Sequence, residues 1–171
     1  MTAPDEPRRV EIMSDQGNTP PPMATARVAA GALFFDEHGR VLLVKPTYKS
    51  YRDIPGGYVE PGETPFQACV REVQEELGIQ PPIGDLLVVD WAPHPKEGDK
   101  ILFIFDGGRL SPETLSKISF GDGELAGYEF HAVEELDGLM IERLASRVSS
   151  AVTAHNIGRT LYLEHGRTLP T

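Results

Sequence analysis

Apolar and polar positions divide this chain into short strand-like runs set around one strongly amphipathic helix. Residues 27 to 35, RVAAGALFF, read as a strand, Asp36-Glu37-His38-Gly39 as a turn, and residues 41 to 45 as the partner strand of a hairpin. Residues 48 to 52 follow as a loop. Ile54-Pro55-Gly56-Gly57 then reads as the end of a buried strand entering a turn, where backbone bare of side chains can approach a ligand. Downstream, the spacing predicts a helix in which Phe66, Val70, Val73 and Leu77 form one stripe and Glu72, Glu75 and Glu76 another. Thr64 is placed to cap it, Pro65 suits its first turn, Gln67 completes a capping box, and Gly78 is placed to stop it.

Beyond Pro81-Pro82, residues 86 to 91 and 101 to 105 read as an antiparallel strand pair separated by a polar stretch, with Gly107-Gly108 as a turn. Residues 111 to 124 read as a loop with a helical turn, and 127 to 133 as a strand. The last periodic segment runs from 139 to about 155, where Leu139, Leu144, Val148 and Val152 line one helical face that packs on the sheet. Strands around a central helix, with a second helix late, make the class α+β. Residues 1 to 24, rich in Pro and polar groups and without apolar periodicity, read as a flexible tail, leaving 25 to 171 as a single domain.

Composition narrows the partners. At 171 residues and 40% hydrophobic content the chain can build one sizeable core. A net charge of -10 repels a nucleic-acid duplex or an anionic membrane, and leaves small substrates that carry metal. The only cysteine, Cys69, excludes an internal disulfide and suits a reducing cytoplasm. No apolar run is long enough to span a bilayer and the N-terminus lacks a hydrophobic signal core, so a soluble cytoplasmic protein is expected.

The chemistry is concentrated in residues 57 to 79, GYVEPGETPFQACVREVQEELGI, where five carboxylates accompany one arginine. Glutamates related as i, i+3 and i+4 repel one another by about 0.2 to 0.5 kcal/mol per pair on an exposed helix, and more once drawn out of bulk water. Alone they would read as a solvated acidic face. Placed beside a bare Gly-Gly turn, and with no His or Cys among them, they suit hard cations such as Mg2+ or Mn2+, which complete their shells with water and phosphate.

Gly57, Glu63 and the run Arg71-Glu72-Val73-Gln74-Glu75-Glu76-Leu77-Gly78-Ile79, at this spacing, resemble the Nudix box, with every fixed position of that signature filled. The resemblance covers residues 27 to about 156. It implies an α/β/α sandwich with a mixed sheet, and a hydrolase that uses divalent metals to split a diphosphate joining a nucleoside to another moiety. It also implies that Glu72 and Glu76 are the main metal ligands, that Glu75 shares a metal or acts as base, and that the Gly57 carbonyl is a further ligand. Arg71 would orient the glutamates through a salt bridge and Glu63 would support the loop. Gly123-Glu124-Leu125 followed by Tyr128-Glu129-Phe130 resembles the late loop and strand from which some members supply one more glutamate, making Glu124 a second candidate base. Pro95, 16 residues after Ile79, resembles the proline of ADP-ribose-cleaving members and favours an ADP-ribose-like substrate. Oligomeric state stays open between monomer and homodimer.

Tyr48, Tyr51 and Trp91 are candidates to stack a nucleobase, although aromatics at strand ends also serve as partly buried core. Arg52, three before Pro55, stands where many members carry Trp; it is a candidate substrate contact, and the departure weakens substrate inference. Cys69 reads as a small packing residue, since neighbouring carboxylates disfavour a thiolate. The five histidines share no ligand spacing, so a zinc site is not expected. Two other readings of the same resemblance compete with a hydrolase: a Nudix-fold sensor or regulator that binds a nucleotide without cleaving it, and an isomerase. Regulators of this kind often lose box glutamates or carry a DNA-binding region, and neither feature is seen here.

Overall fold

The computed structural model describes residues 21–121 and 123–170. Of the tail expected over 1 to 24, residues 1 to 20 lie outside the described residues; 21 to 26 carry no regular structure. The framework is an eight-stranded mixed sheet. β1 (Arg27–Phe35) lies at its centre, with β5 (Lys100–Arg109) parallel on one edge. β2 (Val41–Pro46) and β3 (Gly56–Tyr58) are antiparallel on its other edge, one at each end. β6 (Leu125–His131) extends the sheet beyond β2. Beyond β5 come β4 (Leu86–Trp91), then β7 (Leu161–Glu164) and β8 (Arg167–Thr168).

Alternation along β1 decides which layer each side chain joins. Leu33 and Phe35 enter one core with Val41, Leu43, Val88 and Ile104, closed by α4 (Glu142–Ile157) through Leu144, Ala145, Val148, Ala151 and Ala154. Ala30, Ala32 and Phe34 enter the opposite core with Leu42 and Val44, closed by α1 (Pro65–Leu77) through Ala68, Cys69, Val73 and Leu77. A strand buried on both faces has no polar side to alternate, which explains the unbroken run RVAAGALFF. The result is the α+β sandwich with a mixed sheet between helices.

Several expectations need correction. Phe66 and Val70 are not the buried stripe of α1: Phe66 is 43% exposed and meets Phe105 edge-on at 5.5 Å, while the small Ala68 and Cys69 are fully buried and let the helix lie close to the sheet. Gly107-Gly108 is not a turn but the continuation of β5, which carries a bulge opposite Leu33/Phe34; a Cβ at Gly107 would overlap the Phe34 ring. The expected helix from 139 breaks at Met140, whose backbone is extended. Leu139 instead ends the one-turn α3 (Leu136–Leu139), which follows a 3-10 turn at Val133–Glu135. The loop helix is α2 (Pro112–Leu115). The terminal hairpin β7–β8 leaves no mark in the apolar pattern, because four and two residues are too short to show a period. Among the described residues no helix is long and apolar enough to cross a membrane.

Candidate active site

Local chemistry fixes α1 before packing does. Thr64 Oγ1 accepts from the Gln67 N–H at 3.2 Å, and Gln67 Oε1 accepts from the Thr64 N–H at 2.9 Å, a complete capping box. Gly78 ends the helix in the left-handed conformation, φ 68°, and its N–H donates to the Gln74 carbonyl at 2.9 Å. With Val73 and Leu77 buried in the core, Glu72 and Glu76 are turned to the backbone of β3.

The contact there is close. The Gly56 N–H donates to Glu76 Oε2 at 2.9 Å, and a Cβ at Gly57 would lie 2.7 Å from Glu72 Oε2, so any larger residue at 57 would displace that carboxylate. Arg71 gathers the remaining acids. Its Nε donates to Glu63 Oε1 at 2.7 Å and Nη2 to Glu63 Oε2 at 3.0 Å, a bidentate pair. Nη1 donates to Glu72 Oε1 at 2.8 Å and to Glu75 Oε2 at 2.9 Å, and Nη2 also reaches the Tyr58 carbonyl at 3.0 Å. Glu63 in turn accepts the Glu60 N–H at 3.0 Å and closes the loop before the helix.

The electrostatics are those of crowded, half-dry acids. Burial pushes Glu76 up to about 8 despite the Gly56 N–H, and the charges of Glu72, Asp53 and Glu124 add to the rise. Burial also raises Glu72, opposed by Arg71. Hydrogen bonds from Arg71 hold Glu63 below the ordinary carboxylate range. Among the described residues no three His, Cys, Asp or Glu side chains form a group ready to hold a metal ion. The donor chemistry nevertheless suits a hard cation: Glu72, Glu75 and Glu76 each use one oxygen in these bonds and, among the described residues, keep a second without a hydrogen bond. Glu124 stands near enough for its charge to bear on both Glu72 and Glu76, and its carbonyl accepts the Thr47 N–H at 2.8 Å.

A cleft of about 420 Å³ runs from Gly56 and Gly57 along the strand ends towards α4. Tyr48 and Tyr51 line it, with Lys49 between them, 5.3 and 4.8 Å from the two ring centres and 2.5 Å from Asp53 Oδ2. Arg52 and Trp91 do not line it. Arg52 turns to Glu129, 3.5 Å away, leaving its Nε buried without a hydrogen-bond partner among the described residues, and Trp91 pairs in the sheet between Ile101 and Glu164. Pro95 lies in the β4–β5 connection, which a His94–Gly98 bridge closes over the same cleft. A larger depression of about 850 Å³, between the end of α1 and the Asp106–Leu110 stretch, includes none of the box acids.

Several cleft residues carried no sequence motif: Lys49, Asp53, Lys100, Arg143 and Arg147. For Arg147 a signal existed. It falls on the apolar face of α4 beside Leu144 and Val148, and Asp90 interrupts the apolar strand LLVVDW; opposite charges inside two apolar patterns are the mark of a buried pair.

The family model for the NUDIX domain matches residues 25–152. An ADP-ribose pyrophosphatase of Methanocaldococcus jannaschii is 37% identical over 83 residues, covering 44% of this chain and 49% of that protein. An 8-oxo-dGTP diphosphatase of Proteus vulgaris is 43% identical over 56 residues, covering 30% of this chain and 49% of that protein. The chain therefore spans about half the length of these curated relatives. Among solved structures, the MutT protein of Methanosarcina mazei Go1 superposes with a TM-score of 0.61 at 25% identity, covering 78% of this chain and 94% of that one.

Proposed function

The chain belongs to the Nudix family, and on that premise we propose that it hydrolyses the diphosphate bond of a nucleoside diphosphate linked to a second moiety, releasing a nucleoside monophosphate and the phosphorylated moiety. One observation carries the reading: Glu72 and Glu76 are pressed against the bare backbone of Gly56 and Gly57, at the mouth of a cleft large enough for a nucleoside.

A divalent cation, Mg2+ or Mn2+, held by Glu72 and Glu76 with Glu75 and the Gly57 carbonyl, would neutralise the nonbridging oxygens of the diphosphate and acidify a bound water. The protein's own part is positioning and proton transfer. Arg71 fixes Glu72 and Glu75 through one nitrogen while Glu63 anchors its other side, so the acids hold their places as charge changes around them. Glu75, more than half exposed, or Glu124 across the site takes the proton of the attacking water as oxygen bonds to phosphorus and the bridging oxygen leaves. Tyr48 and Tyr51 wall the cleft and offer faces on which the nucleoside stacks.

The substrate to try first is ADP-ribose. Pro95, in the loop whose His94 and Glu97 line the cleft, and the likeness to an ADP-ribose pyrophosphatase support that choice. The test is turnover of ADP-ribose, dinucleoside polyphosphates, nucleoside triphosphates, nucleotide sugars and coenzyme A with Mg2+ or Mn2+, repeated in 18O-labelled water. Label should appear on a product phosphate; label on the attached moiety would mean attack at carbon. Binding of these compounds without turnover would replace the hydrolase with a nucleotide sensor.

A further inference from the structure

The far wall of the cleft is cationic, although the chain as a whole carries -10. Lys49, Lys100, Arg143 and Arg147 line it, against two acids, Asp53 and Glu97. The lysines are already matched, Lys49 with Asp53 and Lys100 with Glu97. The arginines are not matched in the same way. Both come from α4, one helical turn apart, on the sheet face opposite the box glutamates.

Arg147 is anchored from behind. Its Nε donates to Asp90 Oδ2 at 2.5 Å, and the other Asp90 oxygen accepts the Gly166 N–H at 3.0 Å. Gly166 sits in the β7–β8 turn so close to α4 that a Cβ would lie 2.5 Å from the Arg143 carbonyl. The terminal hairpin thus locks Asp90, and Asp90 locks the guanidinium. The Arg147 side chain is 8% exposed, its two terminal nitrogens have no hydrogen-bond partner among the described residues, and the residue lines the cleft. Arg143 carries no ion pair among the described residues; Nη1 reaches only the Pro93 carbonyl, at 3.3 Å. Burial works against the Arg147 charge, and the neighbouring charge of Arg143 adds to it. Two guanidinium forks held side by side, one dehydrated and neither fully engaged, are complementary to an oxyanion.

We propose that Arg143 and Arg147 form an anion subsite for a phosphate group carried by the substrate outside the diphosphate that is cleaved. This deepens the hydrolase reading and rests on it for the word substrate. The group is either a phosphomonoester on one of the two moieties or an extension of the phosphate chain; the forks would grip either in the same way. Unphosphorylated ADP-ribose then leaves the subsite unused, and a phosphate-bearing relative of it is the better substrate.

The test uses the full chain with Arg143→Gln, which removes the fork without stripping Asp90 of its partner, and Arg143→Lys, which restores charge alone. Binding is read first, without divalent metal, as the rise in melting temperature given by inorganic phosphate over chloride at equal ionic strength. Wild type should be stabilised specifically by phosphate, Arg143→Gln should lose that gain, and Arg143→Lys should keep part of it. Turnover is read second. Arg143→Gln should raise KM about tenfold, some 1.4 kcal/mol, for coenzyme A if the group is a phosphomonoester, or for a dinucleoside tetraphosphate if it is a longer chain, while KM for ADP-ribose stays within about twofold. Phosphate that stabilises wild type no better than chloride, or a KM change equal for all substrates, would overturn the subsite. An Arg143-dependent phosphate shift in a protein that cleaves nothing would keep the subsite and remove the hydrolase. Turnover indifferent to Arg143 would do the reverse.

Discussion

The main-chain N–H of Gly56 donates to Glu76 Oε2 at 2.9 Å, joining β3 to α1 across 20 positions of sequence. That bond favours the charged carboxylate, but burial, and after it the charges of Glu72, Asp53 and Glu124, oppose its ionisation.

Glu76→Gln keeps the acceptor for Gly56 and removes the charge. Turnover on the best substrate should fall by two or more orders of magnitude, on the order of 3 kcal/mol in barrier. The melting temperature without metal should hold or rise, and the gain given by Mn2+ should shrink. An inactive variant that keeps the full Mn2+ gain would remove Glu76 from the ligand set; an active one would remove it from the mechanism.

Arg71→Lys separates charge from geometry. The guanidinium serves Glu63, Glu72, Glu75 and the Tyr58 carbonyl from three nitrogens, whereas an ammonium is a single point with three donors. Activity is expected to drop at least tenfold with KM little changed, since the loss is in orientation of the acids. Steady-state kinetics on the same substrate check this. An unchanged kcat would mean that charge alone suffices.

The acidic half of the site was legible because it lies in one contiguous stretch: cap, glutamates, arginine and stop fall within 23 residues, and local rules place them on one helix. β1 and β4 were legible to the residue, since both are runs of β-forming apolar residues, with only Asp90 set inside β4, bounded by turn-forming residues such as Asp36 and Pro93. The cationic half was not. Lys49 comes from a loop, Lys100 from β5, and Arg143 and Arg147 from α4, and what unites them is a sheet order in which β1 runs parallel to β5 and β4 parallel to β7. No local pattern encodes that order. Arg52 shows the opposite failure: its sequence position suggested a substrate contact, but Glu129 on β6 draws it away from the cleft.

Asp90→Ala tests the anchor of the cleft. Removing one member of a buried pair leaves the other charge uncompensated, and here also strips the Gly166 N–H of its acceptor, so a loss of about 3 to 5 kcal/mol is expected from denaturant unfolding. Arg147→Met with Asp90→Ala removes both charges and should recover part of that loss. A single variant as stable as wild type would show that the terminal hairpin is held by its apolar contacts alone.

Cys69 provides the pH test. Its side chain is fully buried on the inner face of α1, and burial, helped by the charge of Glu72, pushes the thiol up to about 12. The folded value lies above the unfolded one of about 9, so between these limits the unfolded chain has released a proton that the folded chain keeps. Stability therefore falls as pH rises from about 9 towards 12, and below 9 this group contributes no pH dependence. Tyrosines and lysines titrate in the same range, so the informative quantity is the difference between wild type and Cys69→Ala. The variant should lose a fixed increment for the missing sulfur at pH 7, and the gap should close or invert above pH 9 as the wild type alone is penalised. Because the thiol only fills space, turnover at pH 7 should stay within about tenfold, 1.4 kcal/mol of barrier, and the wild-type thiol should resist alkylation until the protein is unfolded. A gap that stays constant from pH 7 to 11, or rapid alkylation of the native protein, would place Cys69 in contact with solvent.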